Sequence, residues 1–283
     1  MSAMFFGQYL LERGVIDRDA LLDALARQRS RNRSLPQLAV REGLLTESDA
    51  NAVELAYRTV LAPMDELLMS VGGLTPDTVE RLEVMQRADW IRIGAALVEG
   101  GHLEPDHVER HLREFASQTV EVEESLRERF ATLPSPRVVE ACVELALHHV
   151  SRLTDAPAKM ALLETPHALA APAEVRRSSQ RITGDASFVI VIDLPPAIGN
   201  LAAGRLVGSA VAAGGDEEAD ALREVVNLVG GHTCTELEAA GLRLRPEPPR
   251  SDVPPDTASG ARSVVRAGCA TGDGRFDVWV LLE

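Results

Sequence analysis

A chain of 283 residues that is 45% apolar can bury a substantial core, and its length suggests two domains. No run approaches the ~20 apolar residues that a membrane span needs, and the formal net charge of −14, spread along the chain without an acidic tail, repels nucleic-acid phosphates. Cys142, Cys234 and Cys269 are too few and too widely spaced for a disulfide framework or a paired-cysteine metal site, and MSAMFFGQYLLERG lacks a basic leader followed by an apolar stretch. The expected setting is therefore the cytoplasm, with buried thiols.

Residues 1–118 read as a repeat. Gly14, Gly43, Gly72 and Gly101 recur every 29 residues, and a short segment precedes each: FFGQYLLERG, SLPQLAVREG, MDELLMSVGG shifted by one, and RIGAALVEGG. After each glycine come an apolar residue, a capping signal and a helical pattern. Thr46 precedes Asp49, Thr75 precedes Pro76 and Asp77, and Pro105 precedes Asp106, so first-turn residues stand where a second helix should begin. A glycine able to turn left-handed closes the first helix. Leu21 and Leu25, Val79 and Leu82, and Val108 and Leu112 are the expected buried side of the longer helices. Four αα-hairpins cannot bury their faces singly, so the expectation is one all-α domain of four stacked repeats.

The first unit, FGQYLLERGVIDRDALLDALARQ, and the fourth, RIGAALVEGGHLEPDHVERHLREF, resemble the tandem motif called MshEN, from the N-terminal domain of type II secretion and pilus ATPases. Arg92, Ile93, Gly94, Leu97, Val98 and Gly101 follow the family pattern. Phe5 replaces its arginine in the first unit, Ser34 and Pro36 replace arginine and glycine in the second, and the third lacks the opening. The resemblance implies cyclic di-GMP as the ligand of some members, placed here at Arg92, Ile93, Gly94 and Leu97. That ligand needs two neighbouring motifs, and no adjacent pair is intact, so a structural or protein-docking role is the expectation. Arg27, Arg29, Arg31 and Arg33 form a basic cluster that reads either as a phosphate contact or as a solvated helix end whose cations favour the dipole. His107 and His111, and His148 and His149, lack a third ligand, so no metal site is expected.

Residues 119–136, VEVEESLRERFATLPSPR, begin as a charged helical pattern and end in Pro134 and Pro136, which cannot continue a helix. They read as a helical linker with a stiff break.

Residues 137–283 mix helix and strand. Val138 to Leu153 has helical periodicity; Lys159 to Glu164 and Ser187 to Leu194 are rich in β-formers, the latter apolar nearly throughout like a central strand. Ala197 to Gly208 is a predicted helix. In DALREVVNLVGG, Leu222, Val225, Val226 and Val229 form one apolar stripe, with Asp220, Glu224 and Asn227 on the opposite face. This helix is expected to continue to Ala240 and stop at Gly241, before a strand near Leu242 to Leu244. Phe276 to Leu282 alternates like a half-buried strand. Short connections predict an α+β domain, with a mostly antiparallel sheet carrying helices on one face.

The stretch EVVNLVGGHTCTELEAAGLRLRPEPP resembles the CheX family of chemotaxis phosphatases. Glu224-x-x-Asn227 carries the resemblance, with Asp220 four residues upstream, Gly230 and Gly231 behind, and Pro248 and Pro249 about twenty residues on. CheC relatives hold a second copy on the first helix, where this chain has Glu140-Ala-Cys-Val143 and no asparagine, so one copy points to the CheX type. The resemblance implies hydrolysis of an aspartyl phosphate on a CheY-like receiver. That receiver brings its own Mg²⁺ and lysine. Asn227 would aim the attacking water, Glu224 would pair with the receiver lysine, and Leu228 would add an apolar contact. No metal need be bound by this chain. A non-enzymatic binding or scaffold protein of a two-component or cyclic di-GMP pathway is the alternative. Strands Phe276 to Leu282 and Phe188 to Ile192 imply a sheet whose edges need cover, and CheX-like proteins pair through their sheets, so a homodimer of the second domain is expected.

Overall fold

The computed structural model describes residues 5–169, 174–253 and 260–283, leaving residues 1–4 of the N-terminal stretch outside the description. Two compact units lie within 4–120 and 121–283.

In the first unit short helices alternate with longer ones: α1 (Phe6–Glu12), α2 (Arg18–Arg31), α3 (Leu35–Arg41), α4 (Glu47–Thr59), α5 (Met64–Ser70), α6 (Pro76–Asp89), α7 (Ile93–Glu99) and α8 (Pro105–Ala131). Local chemistry starts the longer ones. Asp17, Thr46 and Thr75 side chains accept hydrogen bonds from the backbone N–H of Ala20, Asp49 and Thr78, satisfying first-turn donors. Left-handed glycines follow the short helices at Gly14, Gly43, Gly73 and Gly101. In the third unit the left-handed turn falls on Gly73 rather than Gly72, where a Cβ would lie 2.6 Å from the Leu68 carbonyl oxygen.

The cores of this unit pair the helices in an order that the chain order does not suggest. Phe6, Tyr9, Leu10, Ala24, Ala96, Leu97 and Val108 share one cluster, so the first helix pair packs on the fourth. Leu38, Val53, Leu68 and Leu82 share another, so the second packs on the third. Gly7 and Gly94 let the short and long helices within their own pairs approach closely. A Cβ would lie 2.7 Å from Leu21 Cδ1 at Gly7 and 2.7 Å from Val108 Cγ1 at Gly94, in matching places of the two pairs. Leu112, expected inside, is 43% exposed, because the buried stripe of α8 runs through Val108 and Phe115 instead.

Helix α8 continues to Ala131, and its residues Leu126 and Phe130, with Leu133 beyond it, pack against the core of the second unit. Residues 119–136 thus contribute apolar side chains to that core, beyond the spacer role expected of them. Ser135 turns left-handed and Pro136 opens α9 (Pro136–Thr154). Then follow β1 (Lys159–Glu164), β2 (Arg176–Gly184), β3 (Phe188–Leu194), α10 (Pro196–Val207), α11 (Asp216–Ala239), β4 (Leu244–Pro246), β5 (Ser263–Thr271) and β6 (Gly274–Leu282). The unit is α+β, with one sheet in the order β1-β5-β6-β3-β2-β4 and every pairing antiparallel. Phe188, Ile190, Ile192, Val278 and Val280 face a core shared with α9, α10 and α11. Val189, Val191, Trp279 and Leu281 point to the opposite face, where Leu169, Val253 and Ala261 pack.

Strands β2 and β5 were not expected. RRSSQRITG offers no apolar alternation, since polar side chains of β2 point to both faces of the sheet, and SVVRAGCAT is interrupted by arginine and glycine. β3 and β6, the strands on which the uncovered-edge expectation rested, lie inside the sheet; its edges are β1 and β4.

Candidate functional site

Helix α11 positions the candidate residues. It lacks a side-chain cap, its N-cap being Gly215, but Asp216, Glu217 and Glu218 place negative charge in its first turn, where the helix dipole favours it. Leu222, Val225, Val226 and Val229 are at most 3% exposed and anchor the helix on the core. Glu218 is buried as well. Its carboxylate accepts from Arg176 Nε at 3.1 Å and from the Gly214 backbone, which ties the loop before α11 to β2.

On the outer face Asp220 and Glu224 are exposed, while Asn227, Leu228 and Gly231 are half-buried. Glu224 and Asn227 meet: Asn227 Nδ2 donates to Glu224 Oε2 at 3.3 Å. Asp220 is held differently, paired with Arg223, whose guanidinium also donates to Ser251 Oγ at 2.7 Å. Among the described residues Glu224 has no ion-pair partner, so its carboxylate is available to a cation brought from outside.

From below, the asparagine is gripped by a residue that sequence reasoning missed. Gln180 on β2 is 1% exposed, and its Nε2 donates to Asn227 Oδ1 at 2.9 Å and to the Glu247 carbonyl at 2.8 Å. Gly230 makes room for it, since a Cβ there would lie 1.9 Å from Gln180 Oε1. The segment after β4 is laced to β2 as well: Glu247 N–H donates to Arg181, and Ser179 and Arg250 exchange backbone hydrogen bonds, all at 2.8 Å. Pro248 and Pro249 therefore stand in a fixed strip beside β2, and Arg223 joins that strip to α11. The only sequence signal for Gln180 was a glutamine in an unrecognised polar strand.

On α9, Glu140 is exposed but Val143 is 1% exposed, so the position where a second asparagine would stand points into the core.

The residues that the MshEN resemblance would give to cyclic di-GMP divide by burial. Arg92 is exposed as the N-cap of α7 and Ile93 is half-buried, whereas Gly94 is buried and Leu97 has no exposed surface. Leu97 belongs to the core between the first and fourth helix pairs. In the basic cluster Arg27 pairs with Asp23 and Arg31 with Glu99. His111 contacts Glu114, with Tyr9 donating to the same carboxylate.

The histidine pair of α9 acquires a third member from α11. His149 Nε2 lies 2.8 Å from His232 Nδ1 with the rings stacked, and His148 packs edge-on against His149. Burial, with Arg152 nearby, pushes the His148 and His232 pKa values below the ordinary 6.5. Among the described residues no group of three or more His, Cys, Asp or Glu has the arrangement of a metal site. The three thiols are buried, and burial keeps them protonated, Cys234 being pushed up to about 11. No helix is long and apolar enough to cross a membrane among the described residues.

Residues 217–251 match the model of the CheC-like family, a span that holds Glu224, Asn227, Gly230, Pro248 and Pro249. Solved structures similar to this chain include the chemotaxis protein CheX from Desulfovibrio desulfuricans, with 17% identity over 52% of this chain and 99% of that one, at a TM-score of 0.44. CheX from Vibrio vulnificus is 13% identical over 52% and 99%, at 0.43. The CheX–CheY–BeF3–Mg complex from Borrelia burgdorferi gives 19% identity over 51% and 96%, at 0.41. No curated protein is a significant match.

Proposed function

We propose that the second unit is a phosphatase of the CheX type, hydrolysing the aspartyl phosphate of a CheY-like receiver. The observation that carries this reading is the Glu224–Asn227 pair, one turn apart on the outer face of α11, inside the segment that matches the CheC-like family. In the free protein Glu224 occupies one Asn227 amide hydrogen. A receiver lysine that docks on Glu224 draws this carboxylate away and leaves Nδ2 free to face the phosphoryl group. Oδ1, with one lone pair taken by Gln180, keeps a second for a water proton. The amide thereby aims that water in line with the aspartyl oxygen. Attack forms the new P–O bond, the aspartyl–phosphorus bond breaks, and inorganic phosphate and the free carboxylate leave. The receiver's own Mg²⁺ neutralises phosphoryl charge. The work of this chain is positioning.

The test follows phosphoryl decay on candidate receivers, with and without the full chain. Asn227→Ala should lower the accelerated rate by on the order of 10²-fold, the scale for a misplaced reacting group, with the fold preserved. Glu224→Ala should mainly weaken docking. Equal decay with wild type and Asn227→Ala would sink the phosphatase reading. One observation favours a docking protein without hydrolysis: the Asn227 amide is already engaged by Gln180 at its oxygen and by Glu224 at its nitrogen. Receiver binding without faster decay is the outcome that selects it.

The helical unit is proposed as an adaptor or regulatory domain of MshEN-like repeats. Of the four residues that the resemblance gives to cyclic di-GMP only Arg92 is exposed, so weak binding or none is expected. Calorimetry showing sub-micromolar affinity, abolished by Arg92→Ala, would reverse this. The second unit is further proposed to dimerise through its sheet, β1 being the longer edge strand. Full-length protein that stays monomeric in light scattering at tens of micromolar would refute it.

A further inference from the structure

We infer that Gln180 is a positioning residue that decides which end of the Asn227 carboxamide faces the docking partner, an inference that rests on the phosphatase reading. A carboxamide has two ends of nearly the same shape and opposite hydrogen-bonding sense, so an asparagine at a helix surface needs something to choose between them. Here the choice begins at a backbone group. The Glu247 carbonyl can only accept, so Gln180 must turn its NH2 toward it, at 2.8 Å. The same nitrogen lies 2.9 Å from Asn227, which must offer its oxygen in return. Nδ2 is then left to point outward, where it meets the Glu224 carboxylate, again an acceptor only. Polarity therefore runs one way, from a β-strip carbonyl through a buried amide to the exposed face of α11.

This arrangement is costly for stability alone. Gln180 is 1% exposed and its Oε1 has no hydrogen-bond partner among the described residues, a penalty that a methionine of similar shape would avoid. Gly230 is part of the same device, because any side chain there would displace the glutamine oxygen. Ser178 and Ile182, the neighbouring β2 positions on the same face, are buried as well, but the hydrogen bond to Asn227 Oδ1 comes from Gln180.

Gln180→Met keeps the volume and removes both donors. In the full chain, phosphoryl decay at saturating protein should slow between about tenfold and 10²-fold while the concentration for half-maximal effect stays within about twofold, because docking runs through Glu224. In an Asn227→Ala background the same substitution should add nothing, since the group it orients is gone. Gln180→Glu supplies a readout that packing would not move. Its carboxyl group donates only when protonated, so its rate should fall with rising pH along a limb that the wild type lacks. A Gln180→Met protein with wild-type maximal rate, or one that loses as much again in the Asn227→Ala background, overturns the inference while leaving the phosphatase reading intact. Loss of folding in Gln180→Glu alone leaves the methionine variant to decide. If Asn227→Ala decays the receiver phosphate as fast as wild type, the phosphatase reading and this inference fall together.

Discussion

The two units are held together by different means. In the first, helices of seven to fourteen residues precede α8, the long ones begin at their own Asp or Thr caps, and the short ones end at their own glycines. Its apolar residues divide between two small cores. In the second, α11 runs for 24 residues from an N-cap with no side-chain hydrogen bond, and one large core gathers residues from α9, α10, α11 and one face of the sheet, with a small cluster on the other face. The difference teaches where each unit is vulnerable. A unit built of punctuated helices loses stability at its caps and turns, whereas one built around a shared core loses it through packing.

The largest effect should come from that shared core. Leu153→Ala removes a side chain with no exposed surface and should cost the second unit about 2–5 kcal/mol, the range for buried leucines. Denaturation followed separately in each unit, by amide exchange, should show the α1–α6 amides unmoved. If protection falls equally in both units, the comparison breaks. A smaller cost attaches to punctuation: Thr46→Ala removes an N-cap and should destabilise the first unit by about 1 kcal/mol, leaving the second unchanged.

The smallest effect separates the units by pH. Burial and Arg152 depress the pKa values of His148 and His232 below 6.5, so the unfolded chain binds protons before the folded unit does. Stability of the second unit should therefore fall as pH drops below about 6.5, and level off once pH lies below the folded values. In the first unit Asp23, held down by its hydrogen bonds to Arg27 and His102, and Glu114, held down by Tyr9 and His111, are depressed carboxyls. Their stabilisation is present above the ordinary carboxylate range and is lost only as pH falls through it. Urea midpoints of both units at pH 7 and pH 5.5 check the sign: a loss confined to the first unit contradicts the assignment.

Much of the local architecture was legible because it is written within one or two turns of chain. Caps at Thr46 and Thr75, the turn glycines at 14, 43 and 101, and the apolar stripe of α11 each follow from the 3.6-residue repeat or from the left-handed freedom of glycine. The same repeat put Glu224 and Asn227 on one outer face, which needs no knowledge of the rest of the fold. Pairing was a different matter. That the first helix pair packs on the fourth, and that Leu97 is consumed in that contact, depends on apolar contacts between segments far apart in the chain, such as Phe6 and Leu10 with Ala96 and Leu97. β2 was hidden because its polar side chains are satisfied by partners far along the chain, such as Arg177 by Asp193 and Gln180 by Glu247. Gln180 and Asn227 stand 47 residues apart. Only the sheet brings the glutamine beneath the helix, and a hydrogen bond between two side chains leaves no period in the sequence by which either partner could be found.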